Sequence, residues 1–293
     1  MGYGSYNASD WKKLKTSRKL DQAPTETEVF TKTSMDPRFD PQFINMREAR
    51  DSAEHPNSTP IILGLDVTGS MGFLSHKIAT EGLHETMMQM YSTNPVEDPA
   101  LMFAAYGDFQ DRAPLQVTQF EADIRIAEQL LDLWIENRGS GKVVPNYLWY
   151  FAAKHTDLDC VKKHDKRGFL FTIGDQADCR TYIEPESFER VFGEKCTMTT
   201  KQILNAAQEK YDVFHIFIDS RARELVELLP GRTILVQRED IDALPEIIIS
   251  AIQISRGKSL NDVLAQWNDM RRPIVQKAVW DLATGNKKEG LSF

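Results

Sequence analysis

Ile61-Ile62-Leu63-Gly64-Leu65-Asp66-Val67-Thr68-Gly69-Ser70-Met71 is the stretch of this 293-residue chain on which the fold turns. Ile61 to Leu65 shows no polar alternation, so it reads as a strand buried on both faces, as in a parallel sheet covered by helices. The run ends in an acid. Two hydroxyls follow at alternate positions, and a helical period opens at Leu74. The alternation turns the oxygens of Asp66, Thr68 and Ser70 toward one point. In an open α/β sheet, ligands gather at the carboxyl ends of strands, which is where this cluster stands.

Working outward, further short apolar runs lie at Leu101 to Tyr106, Leu115 to Phe120, Phe169 to Ile173, Val213 to Ile218 and Thr233 to Val236. Between them come helical periods: Leu74, Ile78, Leu83, Met87 and Met90; Ile124, Ala127, Leu131 and Trp134; Leu148, Phe151, Ala152 and His155. Strand and helix alternate, which predicts an α/β fold with an open, mainly parallel six-stranded sheet and helices on both faces. Only Gly107 to Pro114 separates the second and third runs. That is too short for a crossover helix, so these two strands are expected as an antiparallel hairpin at one edge.

Ala243-Leu244-Pro245-Glu246 leads into Ile247 to Ile254 as a closing helix, which places the main domain at residues 58–257. Residues 1–57 read as an N-terminal arm. In it Ser9 and Asp10 cap a short helix carrying Trp11 and Leu14, and a polar, proline-punctuated stretch with few apolar anchors follows from Ala23 to Pro60. Residues 258–293 read as a helical C-terminal appendage with a frayed tail. Ser259-Leu260-Asn261-Asp262 has capping-box form before Val263, Leu264 and Trp267, and Pro273 opens a second helix with Ile274, Ala278 and Trp280.

The chain is 41% hydrophobic and 27% charged, which is an ordinary globular balance. A formal net charge of −8 argues against life on phosphate backbones, which needs excess Lys and Arg. The basic stretch at residues 11–19 is the local exception and reads first as a solvated helix face. No window approaches the ~18 uninterrupted apolar residues of a membrane helix, and the first residues lack a secretory apolar core. A soluble cytoplasmic protein is therefore expected. Cys160, Cys179 and Cys196 are widely spaced and odd in number, which fits free thiols better than disulfides or a CxxC metal site.

Aspartate and hydroxyl oxygens are hard donors, suited to Mg²⁺ or Mn²⁺ and unsuited to soft metals. The bland alternative is that Asp66, Thr68 and Ser70 merely cap a helix, for which one of them would suffice. His76 and His84 lie eight residues apart, not the i, i+4 spacing that closes on one ion, and read as packed or exposed side chains. Cys179, four residues after Asp175, lies near the expected rim.

Asp66-x-Thr68-x-Ser70 resembles the metal-ion-dependent adhesion site of von Willebrand factor A domains, usually Asp-x-Ser-x-Ser, and Asp175 after Phe169-Leu170-Phe171-Thr172-Ile173-Gly174 matches the family's second aspartate. The likeness covers residues 58–257. It implies an ion held by Asp66, Thr68, Ser70 and Asp175. The family's further loop threonine has no clean counterpart, because Asn137-Arg138-Gly139-Ser140-Gly141-Lys142 stands in place of Gly-Gly-Thr. Ser140 would supply the hydroxyl, while Lys142, if turned inward, would compete with the cation. Asp108 and Asp111 lie at the hairpin, either as outer support for the site or as a solvated turn.

What the resemblance implies is a non-enzymatic domain whose Mg²⁺ or Mn²⁺ captures an Asp or Glu carboxylate on another protein, in a large assembly or beside an AAA+ ATPase. Two rivals stand beside it. One is an assembly subunit with a vestigial metal loop. The other is a magnesium-dependent phosphate hydrolase, opposed by Thr68 where a second acid would be needed and by the lack of a phosphate loop.

Overall fold

Strands that are apolar on both faces need helices on both sides, and the chain supplies them. The computed structural model describes residues 4–23, 25–136, 143, 145–175 and 183–285. Its strands are β1 Arg47–Ala49, β2 Thr59–Asp66, β3 Pro99–Tyr106, β4 Leu115–Val117, β5 Thr156–Leu158, β6 Gly168–Gly174, β7 Tyr211–Ile218 and β8 Thr233–Val236. The helices are α1 Ala8–Ser17, α2 Glu26–Val29, α3 Gly72–Lys77, α4 Leu83–Thr93, α5 Arg125–Leu131, α6 Asn146–Lys154 and α7 Asp159–His164. They continue as α8 Pro185–Phe192, α9 Thr200–Gln208, α10 Arg223–Leu228, α11 Leu244–Ser255, α12 Leu260–Ala265 and α13 Arg271–Thr284.

Six strands form one sheet in the order β4-β3-β2-β6-β7-β8, parallel throughout except for the β3–β4 pair. The expected α/β class, sheet and edge hairpin are all present. Sequence reading missed the separate parallel pair of β1 with β5. Each of these has three residues, too short to show a period. Every residue of β2, β3, β6 and β7 is buried. Their side chains alternate between two cores. Leu63, Phe103, Phe171 and Phe214 face α4, α11 and α13, whereas Ile62, Met102, Leu170 and Val213 face α6, α8 and α9. Gly64 is needed on the second face because any Cβ there would overlap the Leu148 side chain of α6.

The chain leaves β2 toward β3 and β4 on one side, then crosses back to β6 on the other. The order therefore reverses between β2 and β6, whose carboxyl ends form the crevice where this kind of sheet binds ligands. Leu65 stands opposite Ile173 across that pair, so the residues that follow, Asp66 and Gly174-Asp175, come out side by side.

The stretch from Ala23 to Pro60 is better anchored than its sequence suggests. Val29, Phe30 and Phe39 join the first core, and Ile44 and Ala49 the second. Their irregular spacing hid them, since each is a single contact made by tertiary packing. The Phe39 carbonyl accepts from Val117 N (2.9 Å) on the edge strand β4, which covers otherwise open backbone groups. The cap of α1 is Asn7, whose side chain accepts from Asp10 N, in place of the expected Ser9 and Asp10. At the other end Ser259 caps α12 as expected. Trp267 is buried with its indole N–H on Ser250 Oγ (2.9 Å), while Trp280 is exposed. No helix among the described residues is long and apolar enough to cross a membrane.

Phe39 is 2% exposed. Phe39→Ala is expected to cost about 3–5 kcal/mol in urea unfolding. A cost under about 1 kcal/mol, the range of surface substitutions, would mean that the arm is peripheral after all.

Candidate functional site

Asp66 closes β2 with its side chain fully buried. Its Oδ1 accepts from the Thr68 backbone N–H (2.9 Å) and from the Thr68 hydroxyl (2.6 Å), a tight turn that explains the Asp-x-Thr spacing. Thr68 O then accepts from Met71 N (2.8 Å), and a 3₁₀ turn, Gly69–Met71, feeds α3. Thr68 is buried and Ser70 exposed, so the loop offers one donor from below and one from the solvent side. Thr68 makes no side-chain cap on this helix. Its hydroxyl is committed to Asp66, which opposes the pure capping reading.

The second oxygen of Asp66 has a different setting. Oδ2 lies against Gly174 at the end of β6, where a Cβ would come within 2.8 Å of it. Only glycine lets the two strand ends close this far. Tyr106 from β3 spans the same spot, donating its hydroxyl to Ile173 O (3.1 Å). Asp66 Oδ2 and Asp175 Oδ1 are both buried without a hydrogen-bond partner among the described residues. Buried carboxylate oxygens are ordinarily satisfied, so two unsatisfied ones at adjoining strand ends call for a donor or a cation. Burial, opposed by the two Thr68 bonds and reinforced by the charges of Asp175 and Asp111, pushes the Asp66 carboxyl up to about 7.

The hairpin loop belongs to this neighbourhood. Asp108 is fully buried and Asp111 nearly so, which corrects the solvated-turn alternative. Asp111 Oδ2 accepts from Asp108 N (2.8 Å), and Asp108 Oδ1 accepts from Gln110 N (2.9 Å). Any Cβ on Gly107 would overlap Asp111 Oδ2. Arg190 of α8 clamps the loop by donating to the carbonyls of Phe109 and Asp111. Asp108 also forms an antiparallel bridge with Val143. Burial raises the Asp111 carboxyl as well.

The structure thus brings Asp66, Thr68 and Asp175 together, with Ser70 on the rim and Asp108 and Asp111 behind. Ser140 and Lys142 lie outside the described residues, as does Cys179. His76 and His84 both contact the N-terminal segment, His76 Nε2 on Ala23 O (2.9 Å) and His84 in a stack with Trp11 (5.5 Å between rings). Gly174, Tyr106 and Arg190 escaped the sequence reading. Only Gly174, immediately before a strand-end acid, left a local signal. Among the described residues no group of three or more His, Cys, Asp or Glu is placed to hold a metal. A cation here would rest on two carboxylates and hydroxyls, a set that suits Mg²⁺ or Mn²⁺ with retained water.

No protein-family model matches the chain, and no curated protein matches it. Among solved structures it is similar to the pilus adhesin SpaC from Lactobacillus rhamnosus GG in its open conformation, with TM-score 0.44 and 8% identity over 72% of this chain. It is also similar to proximal thread matrix protein 1 from the mussel byssus, with TM-score 0.39 and 13% identity over 66% of this chain. The chain spans 31% of the adhesin's length and 47% of the matrix protein's.

Asp66 supplies a pH test. Its folded pKa of about 7 exceeds the ordinary 3.8, so between those values the folded chain holds a proton that the unfolded chain has lost. This contribution favours the fold in acid and is lost as pH rises toward 7. Asp66→Asn keeps the Thr68 bonds and removes the charge. In chelator, the variant should melt several degrees above wild type at pH 8 and by a clearly smaller margin at pH 5. An equal shift at both pH values would contradict the buried, unneutralised carboxyl.

Proposed function

We propose that this chain is a non-enzymatic, metal-dependent protein-binding domain of the von Willebrand factor A type. In this reading a divalent cation, Mg²⁺ or Mn²⁺, is held by Asp66, Thr68, Ser70 and Asp175 and captures an Asp or Glu carboxylate of another protein. The observation that carries the reading is the pair of buried oxygens without a partner among the described residues, Asp66 Oδ2 and Asp175 Oδ1, at the switch point of the sheet. A capping role alone leaves both unexplained.

The chain's own residues would do three things. Thr68 fixes the orientation of Asp66 through its two bonds to Oδ1, leaving Oδ2 to the ion. Gly174 allows the strand ends to close, and Tyr106 pins β6 at Ile173. The buried hairpin around Asp108 and Asp111, clamped by Arg190, shields one side from water and adds negative charge behind the site. The bound cation would supply a positive centre that accepts one further anionic oxygen. A hydroxyl-rich shell neutralises such an ion less than a set of carboxylates does, which favours a carboxylate as the partner's contribution.

The setting proposed is cytoplasmic, within a multiprotein assembly and, following the resemblance, beside an AAA+ ATPase. The free, buried thiols of Cys160 and Cys196 accord with a reducing compartment.

Thermal unfolding in chelator, in Mg²⁺ and in Mn²⁺ tests the site. A ligand bound at about 100 times its Kd adds about 2.7 kcal/mol. For a domain of this size that is a rise of about 5–10 °C. The rise should vanish in Asp66→Ala. No rise at millimolar metal would replace this reading with that of a metal-free assembly subunit.

A further inference from the structure

A second polar arrangement lies at the edge of the sheet, away from the metal loop. β4 runs back from the crevice, so the residues after it stand beside the amino-terminal half of β3, with Glu121 bridged to Leu101. The N-terminal arm crosses this edge. Residues 37–39 and 43–47 of the arm, together with Gln119 and Gln129, line one open pocket. Its charged lining residues among those described are two arginines, Arg38 and Arg47, in a chain whose net charge is −8.

The two arginines differ. Arg38 is neutralised by Asp36 (2.7 Å) and Asp132 (3.2 Å). Arg47 is fixed in β1, where its backbone N–H donates to His155 O (2.8 Å), and its Nη2 donates to the carbonyls of Arg38 and Val117. It has no carboxylate partner among the described residues. The acid whose charge it feels, Glu121, is already held by Arg125 (2.9 Å) and by Gln129 Nε2 (3.0 Å). Burial lowers the Arg47 guanidinium to about 10, which leaves it charged at neutral pH. Its Nε is buried without a hydrogen-bond partner among the described residues, and so is Gln119 Oε1. The Gln119 backbone N–H is taken by Gln129 Oε1 (2.7 Å). A charged donor and an acceptor left unsatisfied at one pocket cost free energy that a ligand with an anionic oxygen and an N–H would recover.

The pocket also has an apolar wall. Phe43 is 69% exposed and Met46 39%. Neither is loose, because the turn Pro41–Phe43 is capped by Asp40 and packs on α8, and Ile44 is buried in the second core. An anchored segment that holds apolar side chains in solvent marks a contact surface. The last residue of a polypeptide combines the three matching groups: a carboxylate, a backbone N–H and a side chain on one carbon. An acidic side chain in mid-chain would bring the carboxylate but would leave the apolar group to a different residue.

We propose that this pocket binds the carboxyl terminus of a partner protein that ends in an apolar residue. The carboxylate pairs with the Arg47 guanidinium, the last backbone N–H donates to Gln119 Oε1, and the last side chain packs on Phe43 and Met46. The site is separate from the metal loop and does not depend on it. A bland role, in which Arg47 only ties the arm to β4, predicts no preference for a free carboxylate.

Titration of the full-length protein in chelator, where no cation can take a carboxylate, separates the two. The probes are N-acetylleucine, its amide N-acetylleucinamide and the internal-acid analogue N-acetylaspartyl-leucinamide, with binding read by saturation-transfer NMR. N-acetylleucine should bind about 10-fold more tightly than either amide, the factor expected of one charge-assisted hydrogen bond. Phe43→Ala, at an exposed position outside the core, should weaken it several-fold. Arg47→Gln should bring the acid down to the level of N-acetylleucinamide. Melting checks that both variants fold, and should Arg47→Gln not fold, the wild-type comparison and Phe43→Ala still decide. Equal binding of the acid and either amide, no binding of the acid at millimolar concentration, or a Phe43→Ala variant that matches wild type overturns the site.

Discussion

The parallel pairing of β2 with β6 is the constraint from which the rest of the site follows. It sets Leu65 opposite Ile173, so Asp66 and Asp175 leave the sheet side by side at the point where strand order reverses. The buried Asp66 beside the partly buried Asp175 is unfavourable when both are ionised, and the surrounding structure holds the two strand ends together there. Gly174 removes the side chain that would hold the strands apart, and Tyr106 ties the end of β6 to β3. One oxygen of Asp66 is satisfied locally by Thr68 and the other is left without a partner among the described residues. An arrangement that costs stability and persists at a strand-end crevice is the usual mark of a functional site.

The same physics links this crevice to the periphery. The helix behind the loop is held from two sides, by the N-terminal segment at His76 and His84 and by the closing helix region, where Lys77 pairs with Asp242 (2.9 Å) just before α11. The π turn in this helix reconciles the spacing of its core residues with that of its two histidine contacts. The loop therefore stands at the junction of the sheet, the N-terminal segment and α11.

How much of this was legible in the sequence varied with the kind of signal. Ile61–Leu65 and Phe169–Ile173 announce buried strands because burial on both faces leaves no room for polar residues. The hairpin was readable from the length of Gly107 to Pro114, since eight residues cannot cross a sheet. Asp66 and Thr68 stood out as candidate donors from their place at and just beyond a strand end, and Asp175 through the family resemblance. Phe39, Ile44 and Glu26 were not readable. Each sits in a polar stretch without period, and its importance comes from a contact with residues far away in the chain. Asp108 and Asp111 looked like a solvated turn because local composition cannot show that α8 will deliver Arg190 over them.

The sequence by itself determined the α/β class, the six strands of the main sheet, the edge hairpin and the oxygen-rich strand end, because these depend on local periodicity, connection length and the chemistry of neighbouring residues. Tertiary structure alone decided which strand ends meet, that two carboxylate oxygens are left buried without a partner among the described residues, and that Glu26 lies beside Gly72. Those outcomes depend on distances between segments separated by long stretches of chain. Such distances are set when strand pairing and helix packing satisfy the whole core at once, and no short window of sequence contains them.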